Sequence, residues 1–249
     1  MTTPDPASSD PCRLGVLAFG DSITNGGGEL QWGVALQSWA LWVARGLALP
    51  FTSYAFDGAR VGDVVERQIP AFLRLSGEGA RFQLGCLYIG VNDVRSPDWD
   101  PVAFSHDFRS ALEFLTARCS IVLTVTAPLD LGRPRAAGKV QELDAVIERV
   151  ASEVGALLLD LREWGARNLV MTDHVHPTAF GQIDIAERAL DVLARAGMGV
   201  WVAPSSLIAY ETAWRQRLRA DVTYAYRHAK VSARSGWIRA LVAVRGSRL

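Results

Sequence analysis

Short apolar runs alternate with helical periodicities along most of this chain, and that alternation limits its possible folds more than any other feature. Residues 14–19, 51–56, 83–90, 120–126 and 156–160 are brief, apolar and mostly β-branched or aromatic. Runs of that length and composition predict strands buried on both faces. Between them, Phe104, Phe108, Leu112 and Leu115 step by three or four, as do Val140, Leu143, Ile147, Val150 and Val154. Ala179, Ile183, Ala186, Leu190 and Leu193 repeat the pattern. Residues 61–75 are more weakly amphipathic and contain Pro70, while residues 31–47, with Trp32, Trp39 and Trp42, are apolar on nearly every face. Five strands alternating with helices require βαβ crossovers, so the expected fold is α/β: a five-stranded parallel sheet in a three-layer α/β/α sandwich. Such sheets bind ligands beyond the carboxyl ends of their strands. The turns at Ser22, at Asp57-Gly58 and at Gly90-Val91-Asn92-Asp93 all follow strands and should open on one rim.

The totals set the boundaries. A chain of 249 residues, 49% apolar and 21% charged, buries one substantial core. Residues 1–12 are polar and Pro-rich with no apolar stretch, and read as a disordered leader; residues 13–199 carry the alternating pattern. Residues 200–249 are expected to form a basic helical extension. They hold nine Arg and Lys against two Asp and Glu, a surplus of +7 that offsets −7 in the rest of the chain. Within that extension Leu207, Tyr210, Trp214, Leu218, Val222 and Ala225 form a stripe at helical spacing. Packing on the chain's own acidic domain is expected for it, with contact to an anionic membrane surface as the alternative. Cys12, Cys86 and Cys119 are odd in number, widely spaced and without zinc-ligand spacing, which points to a reducing, cytoplasmic setting without disulfides. No apolar stretch reaches membrane-spanning length. Nucleic acid is not expected as a partner, because the main domain has no basic patch interleaved with aromatics.

Three constellations carry chemistry. Gly20-Asp21-Ser22-Ile23 puts a hydroxyl at the end of the first strand, where a turn exposes the side chain and offers backbone N–H groups to a developing anion. The same residues also suit a capped turn. Asp173-His174-Val175-His176-Pro177 pairs an acid with an imidazole three residues on, the arrangement needed to hold one tautomer with Nε2 free. There too a plain cap and a surface histidine would fit, and His174 is a rival base or, with His176, half of a metal site. Gly58 and Asn92 are candidate donors to an oxyanion, or equally a turn glycine and a turn or cap residue. His106 and His228 read as surface residues.

Together these blocks resemble the SGNH, or GDSL-type, hydrolase family. Gly20-Asp21-Ser22 is similar to its nucleophile block, Gly58 to its second-block glycine, Gly90-Val91-Asn92-Asp93 to its Gly-x-Asn-Asp block and Asp173-His174-Val175-His176 to its Asp-x-x-His block. The resemblance spans about residues 14–196. It implies a flavodoxin-like sandwich, a catalytic triad of Ser22, Asp173 and His176, and an oxyanion hole from Ser22, Gly58 and Asn92. It further implies cleavage of a carboxylic ester of some small acylated substrate, with no cofactor. Acyl transfer by the same triad, or a non-catalytic binding module on the same sandwich, are the alternatives. Many relatives carry an Asn shortly before the second-block glycine, where this chain has Tyr54 and Phe56, so local support for that turn is open. The Trp32/Trp39/Trp42 segment is expected to face the core rather than wall an acyl pocket. Oligomeric state is not legible.

Overall fold

The computed structural model describes residues 13–28, 34, 36–131, 136, 138–166 and 168–208, with Leu218, Val222, Tyr226 and Ala229 beyond them. Five parallel strands, β1 (Val16–Gly20), β2 (Phe51–Ser53), β3 (Phe82–Tyr88), β4 (Cys119–Val125) and β5 (Leu157–Leu159), form one sheet in the order β2-β1-β3-β4-β5. Every residue of β1 is buried, as are six of the seven in β3. Helices on both faces exclude water from these strands, which is why they read as unbroken apolar runs rather than alternating ones.

The helices divide into two groups. α2 (Trp39–Gly46) packs with α8 (Ala179–Arg195). α3 (Val61–Asp63), α4 (Ile69–Ser76), α6 (Pro101–Thr116) and α7 (Lys139–Val154) make up the other layer. In that layer Phe19, Tyr54, Phe72 and Phe114 pack ring against ring, with Phe19 and Phe72 perpendicular at 6.3 Å. On the opposite face Trp39 meets Tyr88 edge to face at 6.4 Å. Two further short helices, α1 (Ser22–Asn25) and α5 (Val91–Val94), follow β1 and β3 directly. Strand order reverses between β1 and β3: the chain leaves β1 for the edge at β2, then returns to β1's other side. A reversal of this kind leaves a crevice beyond the strand ends, and α1 and α5 stand in it.

Two helical expectations are revised. Residues 31–47 do not form one helix. Ser38 caps α2 with its hydroxyl on the Ala40 N–H, and the residues described before it, Val34, Leu36 and Gln37, are not helical. Trp39 and Trp42 are core residues; Trp32 lies outside the described residues. Residues 61–76 are helical, but a π-helical turn at Val64–Gln68 interrupts them. Pro70 has no N–H to bond back one α-turn, and the wider turn ahead of it accommodates that loss. Cys86 and Cys119 are both buried free thiols.

Past α8 the chain folds back on the body. The N–H groups of Trp201 and Val202 reach Gly46 O, and Ser205 N–H reaches the Glu187 carboxylate. Leu218, Val222, Tyr226 and Ala229 are helical and exposed. Residues 1–12 and the remainder of the C-terminal stripe, except Leu207, lie outside the described residues. Among the described residues no helix is long and apolar enough to cross a membrane.

Candidate active site

The turn after β1 is built to present a hydroxyl. Gly20, at φ +152°, lies so close to β3 that an added Cβ would sit 2.5 Å from Tyr88 O, so only glycine fits. The Gln68 side chain grips the same residue twice, accepting from Gly20 N–H (3.0 Å) and donating to Gly20 O (2.7 Å). Asp21, not Ser22, is the cap: its buried carboxylate accepts from Ile23 N–H at 2.9 Å. Ser22 becomes the first residue of α1 and its side chain is left to face the crevice. Burial raises the Asp21 carboxyl to about 7, against the opposing bond from Ile23 and the proximity of His176.

The imidazole arrives from the far edge of the sheet. Met171 N–H bonds His176 O at 2.8 Å and Val170 bridges Pro177, so the loop before α8 is pinned at both ends. Pro177 stands just outside that helix rather than in its first turn, since Thr178 is the cap and bonds Gly181 N–H. One Asp173 oxygen accepts from the backbone N–H groups of Val175 (2.9 Å) and His176 (3.0 Å). The other accepts from His176 Nδ1 at 2.7 Å, and His176 Nε2 lies 2.9 Å from Ser22 Oγ. This geometry assigns the proton of the neutral ring to Nδ1 and leaves Nε2 to accept from the hydroxyl. Partial burial works against the Asp173 charge, yet the bonds from His176 and from the two backbone N–H groups outweigh it and hold the carboxyl below its ordinary range. The Asp173 bond is the largest influence on His176 and raises its pKa above the ordinary histidine value, with partial burial opposing and the Asp173 and Asp21 charges adding.

His174, the rival base, is placed elsewhere. Its Nδ1 meets Asp130 Oδ2 at 3.1 Å, and its backbone sits at φ +56°. The two histidines are bound to different carboxylates, and among the described residues no group of three or more His, Cys, Asp or Glu is placed to hold a metal ion. His106, on α6, is exposed as expected; His228 lies outside the described residues.

Gly58 and Asn92 belong to neighbouring turns that are tied together. Asn92 Nδ2 donates to Ala59 O at 2.9 Å, and both Asp93 oxygens accept from Val61 N–H. Burial raises the Asp93 carboxyl to about 6. Gly58 takes φ +78°, a conformation that glycine adopts without strain. Residues 54–56 hold no Asn; Asn25, on α1, donates to Asp57 at 2.9 Å and ties the turn that holds Gly58 to α1. Tyr54 and Phe56 do other work. The Tyr54 hydroxyl bonds Ser76, and Phe56 lies under the Arg67 guanidinium.

One further residue escaped sequence reasoning. Gln182 is fully buried on α8, accepts from Trp39 N–H (2.7 Å) and donates to Ile23 O (3.0 Å) and Gly27 O (3.1 Å). It thereby fastens the helix that follows His176 to the loop that carries Ser22. The only signal in the sequence is an amide on an otherwise apolar helix face.

The family model described as GDSL-like Lipase/Acylhydrolase matches residues 18–182, about two thirds of the chain. The chain belongs to that family. It is accordingly a carboxylic ester hydrolase of the GDSL type, and Ser22, Gly58, Asn92, Asp173 and His176 all fall inside the matched span. No curated protein matches it. Solved structures share the GDSL fold at low identity. Axe2, an acetylxylan esterase from Geobacillus stearothermophilus, is 19% identical with a TM-score of 0.56, over 73% of this chain and 96% of its own. An Axe2 variant described as a catalytic mutant, with an aspartate replaced, is 18% identical with a TM-score of 0.58, over 72% and 94%. LAE5, described as an alpha/beta hydrolase enzyme from the metagenome of Lake Arreo, Spain, is 19% identical with a TM-score of 0.57, over 73% and 95%.

Proposed function

We propose that this protein hydrolyses esters of small acylated substrates in two steps through Ser22, His176 and Asp173. The observation that carries this reading is the unbroken relay from Ser22 Oγ to His176 Nε2 at 2.9 Å and from His176 Nδ1 to Asp173 at 2.7 Å. Ser22 Oγ attacks the carbonyl carbon as Nε2 takes its proton, and Asp173 stabilises the imidazolium that forms. The carbonyl oxygen, now anionic, is held by the backbone N–H groups of Ser22 and Gly58 and by the Asn92 amide. The carbon–oxygen bond to the alcohol then breaks, and the alcohol leaves with the proton from Nε2. Water, deprotonated by the same nitrogen, attacks the acyl-serine, and the acid departs as Ser22 recovers its proton. Three structures of Axe2 are described as catalytic mutants at a serine, an aspartate and a histidine, the last two three positions apart. Asp173 and His176 have the same types and the same spacing, which supports the reading.

The test is a panel of esters graded by acyl length and alcohol type, run on the wild type and on Ser22→Ala. The variant should lose on the order of 10⁴-fold or more in kcat on every ester the wild type cleaves. Equal turnover by Ser22→Ala would rule the assignment out.

A further inference from the structure

A cleft of about 460 Å³ opens beyond the ends of β4 and β5, beside the loop that carries His176. Tyr88 and Pro128 line it from the strand ends, and Leu129, Trp164 and Met171 from the loops around it. Val175 and Pro177, the residues on either side of His176, also line it. The charged groups at this cleft are Asp130, Arg162, Glu163 and His174. His174 is bound to Asp130, and Arg162 to Asp160 and Glu148. The cleft thus offers a guest both apolar and polar surface, in a volume within the ordinary range for small-molecule sites.

We infer that this cleft receives the alcohol half of the ester and admits a bulky group on it. The inference rests on the Ser22–His176 reading and on the stereochemistry that reading imposes. When the tetrahedral intermediate collapses, the bond from carbon to the alcohol oxygen breaks, and the electron pair stays on that oxygen. The proton it takes comes from His176 Nε2, so the alcohol oxygen must lie within hydrogen-bond reach of that nitrogen. The carbonyl oxygen must point the other way, towards its donors. Those donors, Gly58 and Asn92, come from the turns after β2 and β3, which flank β1. The imidazole comes from the loop after β5. The substituent on the alcohol oxygen is thus directed from Ser22 past the imidazole, over Val175 and Pro177, and into this cleft.

Two isomeric esters separate the halves. 2-Phenylethyl acetate carries its ring on the alcohol, and ethyl phenylacetate carries the same atoms with the ring on the acid. The wild type should favour the first by roughly tenfold or more in kcat/KM, the range that apolar pocket contacts give. Ala166→Trp, which places an indole at the cleft's exposed side, should reduce that preference about tenfold. Leu129→Trp is a second filling variant should the first not fold. Because the readout is a ratio on one protein sample, the active fraction cancels. A wild type that prefers ethyl phenylacetate, or a ratio unmoved in both folded variants, overturns the inference. So does Ser22-dependent cleavage of other esters with neither isomer turned over. If no ester shows Ser22-dependent cleavage, it is the underlying catalytic reading that fails instead.

Discussion

At the scale of single residues, the proposed chemistry is a question of protonation. His176 accepts the Ser22 proton only when its ring is neutral, so activity is lost as pH falls through the imidazole's pKa. The bond from Asp173 is what most raises that pKa above the ordinary histidine value. Asp173→Asn removes the raising influence and also frees the ring to adopt the wrong tautomer. The expected outcome is a plateau kcat reduced on the order of 10⁴-fold together with an acid limb displaced to lower pH. A pH–rate profile of the variant checks both, and a limb that moves up or stays put contradicts the relay. Ser22, Asp173 and His176 were legible in the sequence because a hydroxyl after a buried strand and an Asp-x-x-His pair before a helix make chemical sense together. The partner of His174 was not, since Asp130 is 44 positions away and no local pattern links them. Which residue caps α1 was not legible either. Gly-Asp-Ser offers two good capping side chains, and it is the burial of Asp21 that selects it over Ser22.

At the scale of elements, strands were readable and helix ends were not. Burial on both faces leaves a strong apolar signal in β1, β3 and β4, whereas the bounds of α2 depend on Ser38, one hydroxyl among several polar residues. The π-helical turn ahead of Pro70 was visible only as a weak periodicity with a proline in it. Gln182 shows what such pattern reading cannot supply. Its amide satisfies one N–H and two carbonyls on separate segments, and none of those groups can be matched to it by spacing. Gln182→Leu removes the partner of the buried Trp39 N–H and of the half-buried Gly27 O, while Ile23 O keeps the Gly26 N–H at 3.3 Å, at about 1–3 kcal/mol for each buried unsatisfied group. Urea unfolding should show the variant less stable by several kcal/mol, with kcat reduced in the folded fraction because the Ser22 loop loses its tie to α8. Stability within about 0.5 kcal/mol of the wild type would mean that this clamp does not hold the two segments together.

At the scale of the whole molecule, the sheet's strand order is the device that unites the site. β1 delivers Ser22 to the crevice from inside the sheet, its neighbours β2 and β3 deliver Gly58 and Asn92, and the loop after the edge strand β5 delivers His176, 154 positions from the serine. The charge of the chain is segregated as well, with −7 before residue 200 and +7 from there on, and the family match ends at residue 182, short of the basic extension. On the proposed mechanism this long-range meeting activates one hydroxyl, that of Ser22. A fluorophosphonate probe reacts with a serine only when a neighbouring base has made it nucleophilic, so peptide mapping by mass spectrometry after labelling tests the claim directly. The predicted result is a single adduct on Ser22, lost in His176→Ala. An adduct on another residue, or an unlabelled Ser22 in a preparation that still hydrolyses esters, would contradict it.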